Sequence, residues 1–477
     1  MSDQQETGPT MRRLSQLESV VLWNRARQIK RELKQGVKKP YREVIDISWG
    51  DPQGGGIKPL SFVRQVLAAC HYPQLLNSDK LPEDVRQRAE RLLKECAGRS
   101  TGSYTATQGI PYIVKGISEF ITRRDGGVPS FPNNIYISSG SQWSLQNIFI
   151  ILVNSMSAVK TGVLTPVPCY DKVNMSIREL GGVTIPYYLH EDQGWELQIE
   201  ELNRALESAK GVCNPVALYV MNPGNPTGQV QTRKSIQEVI QFASEKKLFL
   251  LADEVYQECI YGEKSEFVSY KKVLAEMGPP ISETVELASF HSASKGLIGE
   301  CGLRGGYVEL VNVDPAVMEY IYKLFSTDSC ASVPGQIALN LMTHPPQPGD
   351  PSYSLYNEET QLIQTTLIHN VRRVFEVLNS VPGFSCQPVE GGGFAFPRLH
   401  LPLNAIHKAK EAGMQPDEFY CVRLLEESGL LVNPGWNFEQ KEGTSHFRMN
   451  IMIKEETLEG VLRRLVSFHT KFMKEFS

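Results

Sequence analysis

The chain has 477 residues, 41% of them hydrophobic, with 49 basic against 53 acidic side chains and 9 cysteines. That length buries a large core and predicts two or more domains, while the balanced charge argues against nucleic acid or an anionic membrane surface as a partner. No apolar run nears the roughly 20 residues that span a bilayer, and dispersed cysteines without a Cys-x-x-Cys pair point to reduced thiols rather than disulfides or a metal site.

The first residues, Met1 to Glu6, are acidic and precede the first arginine, Arg12. A transit or secretory peptide has the opposite character, so a cytoplasmic location is the expectation. Arg12 to Gly36 predicts a charged amphipathic helix, followed by an extended, Gly-rich arm over Pro40 to Gly56. Short β-rich segments then recur at Asn134–Ile137, Thr161–Thr165, Val183–Tyr188, Val216–Met221, Leu248–Ala252, Val285–Phe290 and Gly306–Val311. Helical patterns intervene, at Trp143–Val153, Glu196–Lys210 and Arg233–Lys246. Such alternation predicts an α/β fold, with a mostly parallel central sheet covered by helices on both faces. The Pro-rich stretch His344–Pro351 marks a boundary, beyond which lie a long helical stretch, a strand signal at Gly391–Phe396 and an amphipathic end at Glu455–Phe476. The expected division is an N-terminal helix and arm over 1–57, a large domain over 58–345, and a smaller α+β domain over 352–477.

The chemistry concentrates at three strand ends. Lys295 lies in Ser292-Ala-Ser-Lys-Gly296, directly after a predicted strand, and Arg304 follows in Gly302-Leu-Arg-Gly-Gly306. A lysine amine beside small hydroxyl donors and a fixed guanidinium suits a Schiff base to a phosphorylated aldehyde. A surface loop would also accommodate such a run, so the neighbouring motifs decide. Upstream, Asn222-Pro-Gly-Asn-Pro-Thr-Gly228 forms a rigid turn that presents Asn225 where ligands bind in open α/β sheets. Asp253 ends the very apolar run Leu248–Ala252, with Tyr256 three residues on. A carboxylate in that setting needs a cation to offset its desolvation, and a protonated pyridine nitrogen is one. Helix capping would explain Asp253 alone, but it does not explain the four residues together.

These motifs in this order resemble the fold-type I pyridoxal-phosphate-dependent aminotransferases. Longer runs are similar to their alanine aminotransferase branch: NPGNPTGQV (222–230), KLFLLADEVYQ (247–257), KKVLAEMGP (271–279), VELASFHSASKGLIGECGLRGGY (285–307), FYCVRLL (419–425) and EGTSHFRMN (442–450). The resemblance implies pyridoxal 5'-phosphate as cofactor and Lys295 as the Schiff-base lysine and proton shuttle. It implies Asp253 against the pyridine nitrogen, Tyr256 and Asn225 on the ring hydroxyl, Ser292 and Arg304 on the phosphate, and Ser141 and Gln142 adding donors at a helix start. Tyr170 matches the aromatic residue stacked on the cofactor, and Tyr104 the tyrosine reaching a neighbouring subunit's phosphate. Arg448 matches the clamp on the substrate carboxylate, where Asn225 also stands, and Gly50 the mobile N-terminal substrate loop. Without the resemblance, Tyr104 and Tyr170 read as core aromatics, Arg448 as half of a surface ion pair and Gly50 as a turn.

The resemblance implies a ping-pong transamination, L-alanine and 2-oxoglutarate giving pyruvate and L-glutamate, in a homodimer with shared sites. Amino-acid and oxo-acid substrates are the expected partners, with no nucleic acid, membrane or metal. Four departures bear on the substrate. Trp143 stands where the branch has a small acid, Val173 where a second tyrosine is common, and Trp436 and Glu439 where small residues are usual. They leave open a different amino donor, glyoxylate as acceptor, or β-elimination on the same fold. A non-catalytic binding or regulatory role is the remaining alternative. It would not need the lysine, the aspartate and both arginines, and too few residues precede Pro40 for a helix-turn-helix module.

Overall fold

The computed structural model describes residues 21–154 and 156–477. Fourteen strands run in chain order: β1 (Ile45–Asp46), β2 (Ile135–Ser138), β3 (Thr161–Val167), β4 (Val183–Tyr188), β5 (Asn214–Met221), β6 (Phe249–Asp253), β7 (Leu287–Ser292), β8 (Gly306–Val311), β9 (Phe384–Ser385), β10 (Phe394–Ala395), β11 (Arg398–Leu399), β12 (Leu430–Leu431), β13 (Asn433–Pro434) and β14 (Phe447–Asn450). Seven of them form one sheet in the order β2-β8-β7-β6-β5-β3-β4. Its pairs are parallel except where β8 meets β2 and β7. This is the α/β architecture expected from the alternating pattern, and every predicted strand of the sheet falls within two residues of its observed bounds.

Burial on both faces explains the sequence of these strands. In β5, Ala217, Tyr219 and Met221 enter one core cluster while Leu218 and Val220 enter the other. Alternate residues of a strand point to opposite faces, so a strand covered by helices on both sides is apolar throughout. Helices Ser61–His71, Pro111–Arg124, Ser141–Leu152 and Val333–Thr343 supply the first cluster. Helices Ile199–Ala209, Arg233–Lys246 and Tyr270–Glu276 supply the other.

A third cluster gathers helices Tyr353–Asn379, Pro416–Ser428 and Glu455–Phe476 around small sheets, one of them β10-β14-β13. The N-terminal helix joins it. Of the predicted helix Arg12–Gly36, residues 12–20 lie outside the described residues, and Val21–Lys34 is helical. Leu22, Ala26 and Ile29 are buried at helical spacing, and Arg25 bonds Glu426 across the contact. From there β1 pairs in parallel with β12, Ile45 opposite Leu430. The chain after β1 therefore leaves the third cluster and crosses toward the carboxyl ends of the large sheet. No helix among the described residues is long and apolar enough to cross a membrane.

Candidate active site

Loops leaving the carboxyl ends of β5, β6 and β7 converge, as open α/β sheets place their ligands. Lys295 follows β7, and its Nζ donates to the carbonyl of Gly50 at 2.6 Å. Burial lowers its pKa from the ordinary lysine value, so the neutral amine that attacks a carbonyl is easier to reach. A side chain at Gly50 would not fit: its Cβ would lie 2.6 Å from Phe394 Cζ and 3.1 Å from Lys295 Nζ. Glycine here serves close approach rather than a turn.

Asp253 closes β6 and is 7% exposed. Burial pushes its pKa up to about 6, against hydrogen bonds from the Tyr219 hydroxyl (2.9 Å) and the Val255 amide (3.4 Å) and the positive charge of Lys295. A carboxylate so placed gains from any cation brought beside it. Tyr256, also buried, lies with its ring centroid 5.8 Å from Lys295 Nζ.

Arg448, on β14, is buried between two phenyl rings, its Cζ 3.9 Å from the Phe394 centroid and 4.6 Å from that of Phe438. Its Nη1 donates to Asn225 Oδ1 at 3.0 Å and its Nη2 to the Ser48 carbonyl at 2.7 Å. Nε has no partner. A buried guanidinium held by neutral acceptors, with a donor to spare and no carboxylate bonded to it, is built to take one. Asn225 thus touches the arginine directly, four residues beyond Met221, which pairs with Asp253 in the sheet.

Arg304 and the start of helix Ser141–Leu152 form a second centre. Gly140, at φ 95°, caps helix Ser141–Leu152, leaving the first amides of that helix open. A Cβ on Gly140 would strike the Arg304 guanidinium, and one on Gly306 would strike the Ser141 amide. Arg304 itself takes a left-handed backbone (φ 57°) and donates to the carbonyls of Cys301 (2.9 Å) and Ser139 (3.3 Å) and to Ser294 Oγ (3.4 Å). Ser292 is buried at the end of β7, where its Oγ accepts from the Ser294 amide at 3.4 Å. The Gln142 side chain is directed to Ser176 Oγ at 3.3 Å, so what it offers the centre is backbone.

Tyr170 caps the next helix, Asp171–Glu179, and burial pushes its hydroxyl up to about 12. Tyr104 stands apart, 79% exposed, and among the described residues no hydrogen bond joins it to the cluster. Of the four departures, Val173 is fully buried in the core, while Trp143 and Trp436 are exposed by 41% and 51%. Glu439 pairs with Arg178 at 2.5 Å in a left-handed backbone (φ 57°), so its charge is met outside the guanidinium cage of Arg448. A cleft of about 280 Å³ opens behind the Asn225 loop, and none of Lys295, Asp253, Tyr256 or Arg304 lines it.

Residues 66–465 match the family model for aminotransferase class I and II. The chain belongs to that family. Alanine aminotransferase 2 of Xenopus laevis is 50% identical over 453 residues, covering 95% of this chain and 84% of that one. Alanine aminotransferase 1 of Homo sapiens is 48% identical over 469 residues, covering 98% and 95%. In fold, the alanine aminotransferase of Pyrococcus furiosus superposes with a TM-score of 0.73 at 21% identity, covering 95% and 96%. This aminotransferase, like its family, works with pyridoxal 5'-phosphate. Its residues suit that group: an amine on a strand end, a buried carboxylate awaiting a cation, and a cradle of amides and guanidinium that any side chain at Gly140 or Gly306 would block.

Sequence motifs alone missed four contributors: Tyr219, Phe394, Phe438 and the Ser48 carbonyl. Tyr219 carried a signal, since it shares strand parity with Met221, the residue paired with Asp253. Ser48 reaches Arg448 across 400 positions, and Phe394 and Phe438 contribute only ring faces, none of which a local pattern announces.

Proposed function

We propose that the chain catalyses transamination between L-alanine and 2-oxoglutarate, with Lys295, Asp253 and Arg448 as the three working groups. The printed names of its relatives support the donor, and the separation of one amine, one carboxylate and one free-handed guanidinium supports the roles. When bound, pyridoxal phosphate supplies an aldehyde to anchor the amino group and an electron-poor ring to hold the electrons of the broken C–H bond.

The chain does the rest. Arg448 grips the substrate carboxylate through the donor it leaves unpartnered, and the phenyl rings of Phe394 and Phe438 keep water from that contact. Lys295, its proton affinity lowered by burial, takes the substrate α-proton as general base and returns a proton as general acid. With the cofactor bound, Asp253 would offer negative charge to the ring nitrogen, and Asn225 and Tyr256 would hydrogen-bond the ring hydroxyl. Ser141, Gln142, Ser292 and Arg304 would hold the phosphate, the first two by backbone amides. Tyr170 would stack on the ring, and Gly50 leaves room for the substrate.

The same reading divides the chain into an arm (1–57), a large domain (58–345) carrying the seven-stranded sheet, and a small domain (352–477). The exposure of Tyr104 supports a homodimer in which it serves the partner's site, and nine free thiols support a reducing, cytoplasmic setting. The single observation that carries the function is the Lys295–Gly50 contact beside the Arg448 cage. Adding L-alanine alone to the holoenzyme should convert the lysine-bound absorbance band to that of the amine form, with one pyruvate released per site. An unchanged band on alanine, with conversion by another amino acid, would move the assignment to that donor.

A further inference from the structure

Asp253 has a partner that none of the motifs includes. Tyr219 is fully buried on β5, and its hydroxyl donates to Asp253 Oδ2 at 2.9 Å. The register makes this contact specific: Met221 lies opposite Asp253 and Tyr219 opposite Leu251, so Tyr219 sits one same-face step back on the neighbouring strand. Its ring spans that step along the sheet. The backbone of Tyr219 is held by the sheet, opposite Leu251, and its carbonyl also accepts the Tyr187 hydroxyl, from β4, at 2.9 Å.

The hydroxyl is not needed for packing. A phenylalanine would fill the same space in this apolar cluster, and burying a hydroxyl costs free energy unless it finds an acceptor. Here the acceptor is the one carboxylate that faces the cofactor site from β6. A donated hydrogen bond does two things to a carboxylate. It fixes the rotation of the group, and it draws off negative charge, which lowers the carboxylate's hold on a proton. Among the described residues the other oxygen, Oδ1, meets only the Val255 amide at 3.4 Å and so keeps lone pairs for a further donor.

We propose that Tyr219 is a positioning residue that keeps the shared proton on the cofactor's ring nitrogen by competing for Asp253, an inference that rests on the assignment of Asp253 to that nitrogen. Without the hydroxyl, the carboxylate holds the proton more strongly and the ring becomes a poorer electron sink. The substrate carboxylate, held by Arg448, is not involved. Loss of Tyr219 therefore lowers kcat without raising KM.

The test is the ¹⁵N chemical shift of ring-labelled pyridoxal phosphate in the holoenzyme, read for the wild type, Tyr219→Phe, Tyr187→Phe and Asp253→Asn. The expected result is a pyridinium shift in the wild type that moves toward neutral pyridine in Tyr219→Phe, with kcat down about tenfold, the worth of one hydrogen bond to a charged group. Tyr187→Phe removes the adjacent hydroxyl without touching Asp253 and should leave the shift in place. A wild-type shift in Tyr219→Phe overturns the proposal, and so does an equal displacement in Tyr187→Phe, which would mark general softening of the sheet. If Asp253→Asn also keeps the wild-type shift, it is the assignment of Asp253 that fails. Should Tyr219→Phe not hold cofactor, Tyr219→3-fluorotyrosine keeps the packing and strengthens the donor. It should move the shift further toward pyridinium, and no movement overturns the inference.

Discussion

Ser48 and Gly50 turn their backbone carbonyls to different cations: Ser48 accepts from Arg448 Nη2 at 2.7 Å, Gly50 from Lys295 Nζ at 2.6 Å. One short segment thereby sets the position of both the proposed substrate clamp and the proposed nucleophile. Gly50→Ala should disturb both at once, because its Cβ meets Phe394 and Lys295. The expected outcome is a loss of about 1–3 kcal/mol in stability, the usual range for overpacking. A raised KM for the amino acid should accompany it. Denaturant unfolding and steady-state kinetics check the pair, and an unchanged KM would free Gly50 from the substrate site.

Arg448→Lys keeps the charge but loses the planar fork that bonds Asn225 and Ser48 and that we propose also takes the substrate carboxylate. We expect kcat/KM for the amino acid to fall about 100-fold, near 3 kcal/mol, since a buried charge-assisted pair is broken. Cofactor affinity of the apoenzyme should change far less. Equal losses in both would place Arg448 on the cofactor instead.

The raised pKa of Asp253 has a signed consequence for the cofactor-free protein. Its carboxyl moves from the ordinary 3.8 to about 6, so between those values the folded chain binds a proton that the unfolded chain has released. Stability from this group is complete below pH 3.8 and is lost as pH rises through 6, by up to about 3 kcal/mol. Glu254, raised to about 7 by burial, acts in the same direction. Asp253→Asn should therefore stabilise the apoenzyme at pH 8 and hardly at pH 4, while abolishing most activity. Denaturant midpoints at the two pH values decide it. Destabilisation at pH 8 would mean the carboxylate is already compensated.

Glu439 pairs with Arg178 from a left-handed backbone that costs an L-residue about 1–2 kcal/mol. Glu439→Gly removes that cost along with a half-exposed ion pair worth about 0–1 kcal/mol. Stability should stay level or rise by about 1 kcal/mol. The amino-acid profile should not change, because the charge is met by Arg178. A new preference among amino donors would return Glu439 to the substrate pocket.

Tyr104 can be assigned to its own or to the partner's site by mixing chains. In a hybrid of a Lys295→Ala chain with a Tyr104→Phe chain, a shared site regains one fully wild-type centre. Activity per hybrid should then approach half that of the native dimer. Activity per hybrid near half that of the Tyr104→Phe homodimer would keep the tyrosine at home.

The sheet was legible because its inner strands are buried on both faces and so are largely apolar, as over Val163–Leu164 of β3 and Ala217–Met221 of β5. The site's acids and bases were legible for a related reason: Asp253 and Lys295 are polar residues at the ends of apolar runs, where contrast is greatest. Contributions made by backbone or by ring faces were not. Ser48 gives only a carbonyl, and Phe394 and Phe438 look like any other core phenylalanine until Arg448 is seen between them. Residue type did not foretell the surroundings of Glu439 either, since an acid beside a substrate wall reads as pocket charge until Arg178 is found on it.

The bond from Arg448 to Ser48 joins residues 400 positions apart, and β1 finds its partner only in β12. On the ribosome, the segment bearing Ser48 and Gly50 emerges early and must wait for nearly the whole chain before its contacts exist. Contacts of such separation form late and slowly, and domains made first fold first. The large sheet is therefore expected to be in place before Arg448 is even synthesised, with the first-made arm threading home last. A nascent chain halted before β12 would carry Lys295 and Asp253 but no clamp and no roof, and pulse proteolysis of such arrested chains should cut first within residues 40–56.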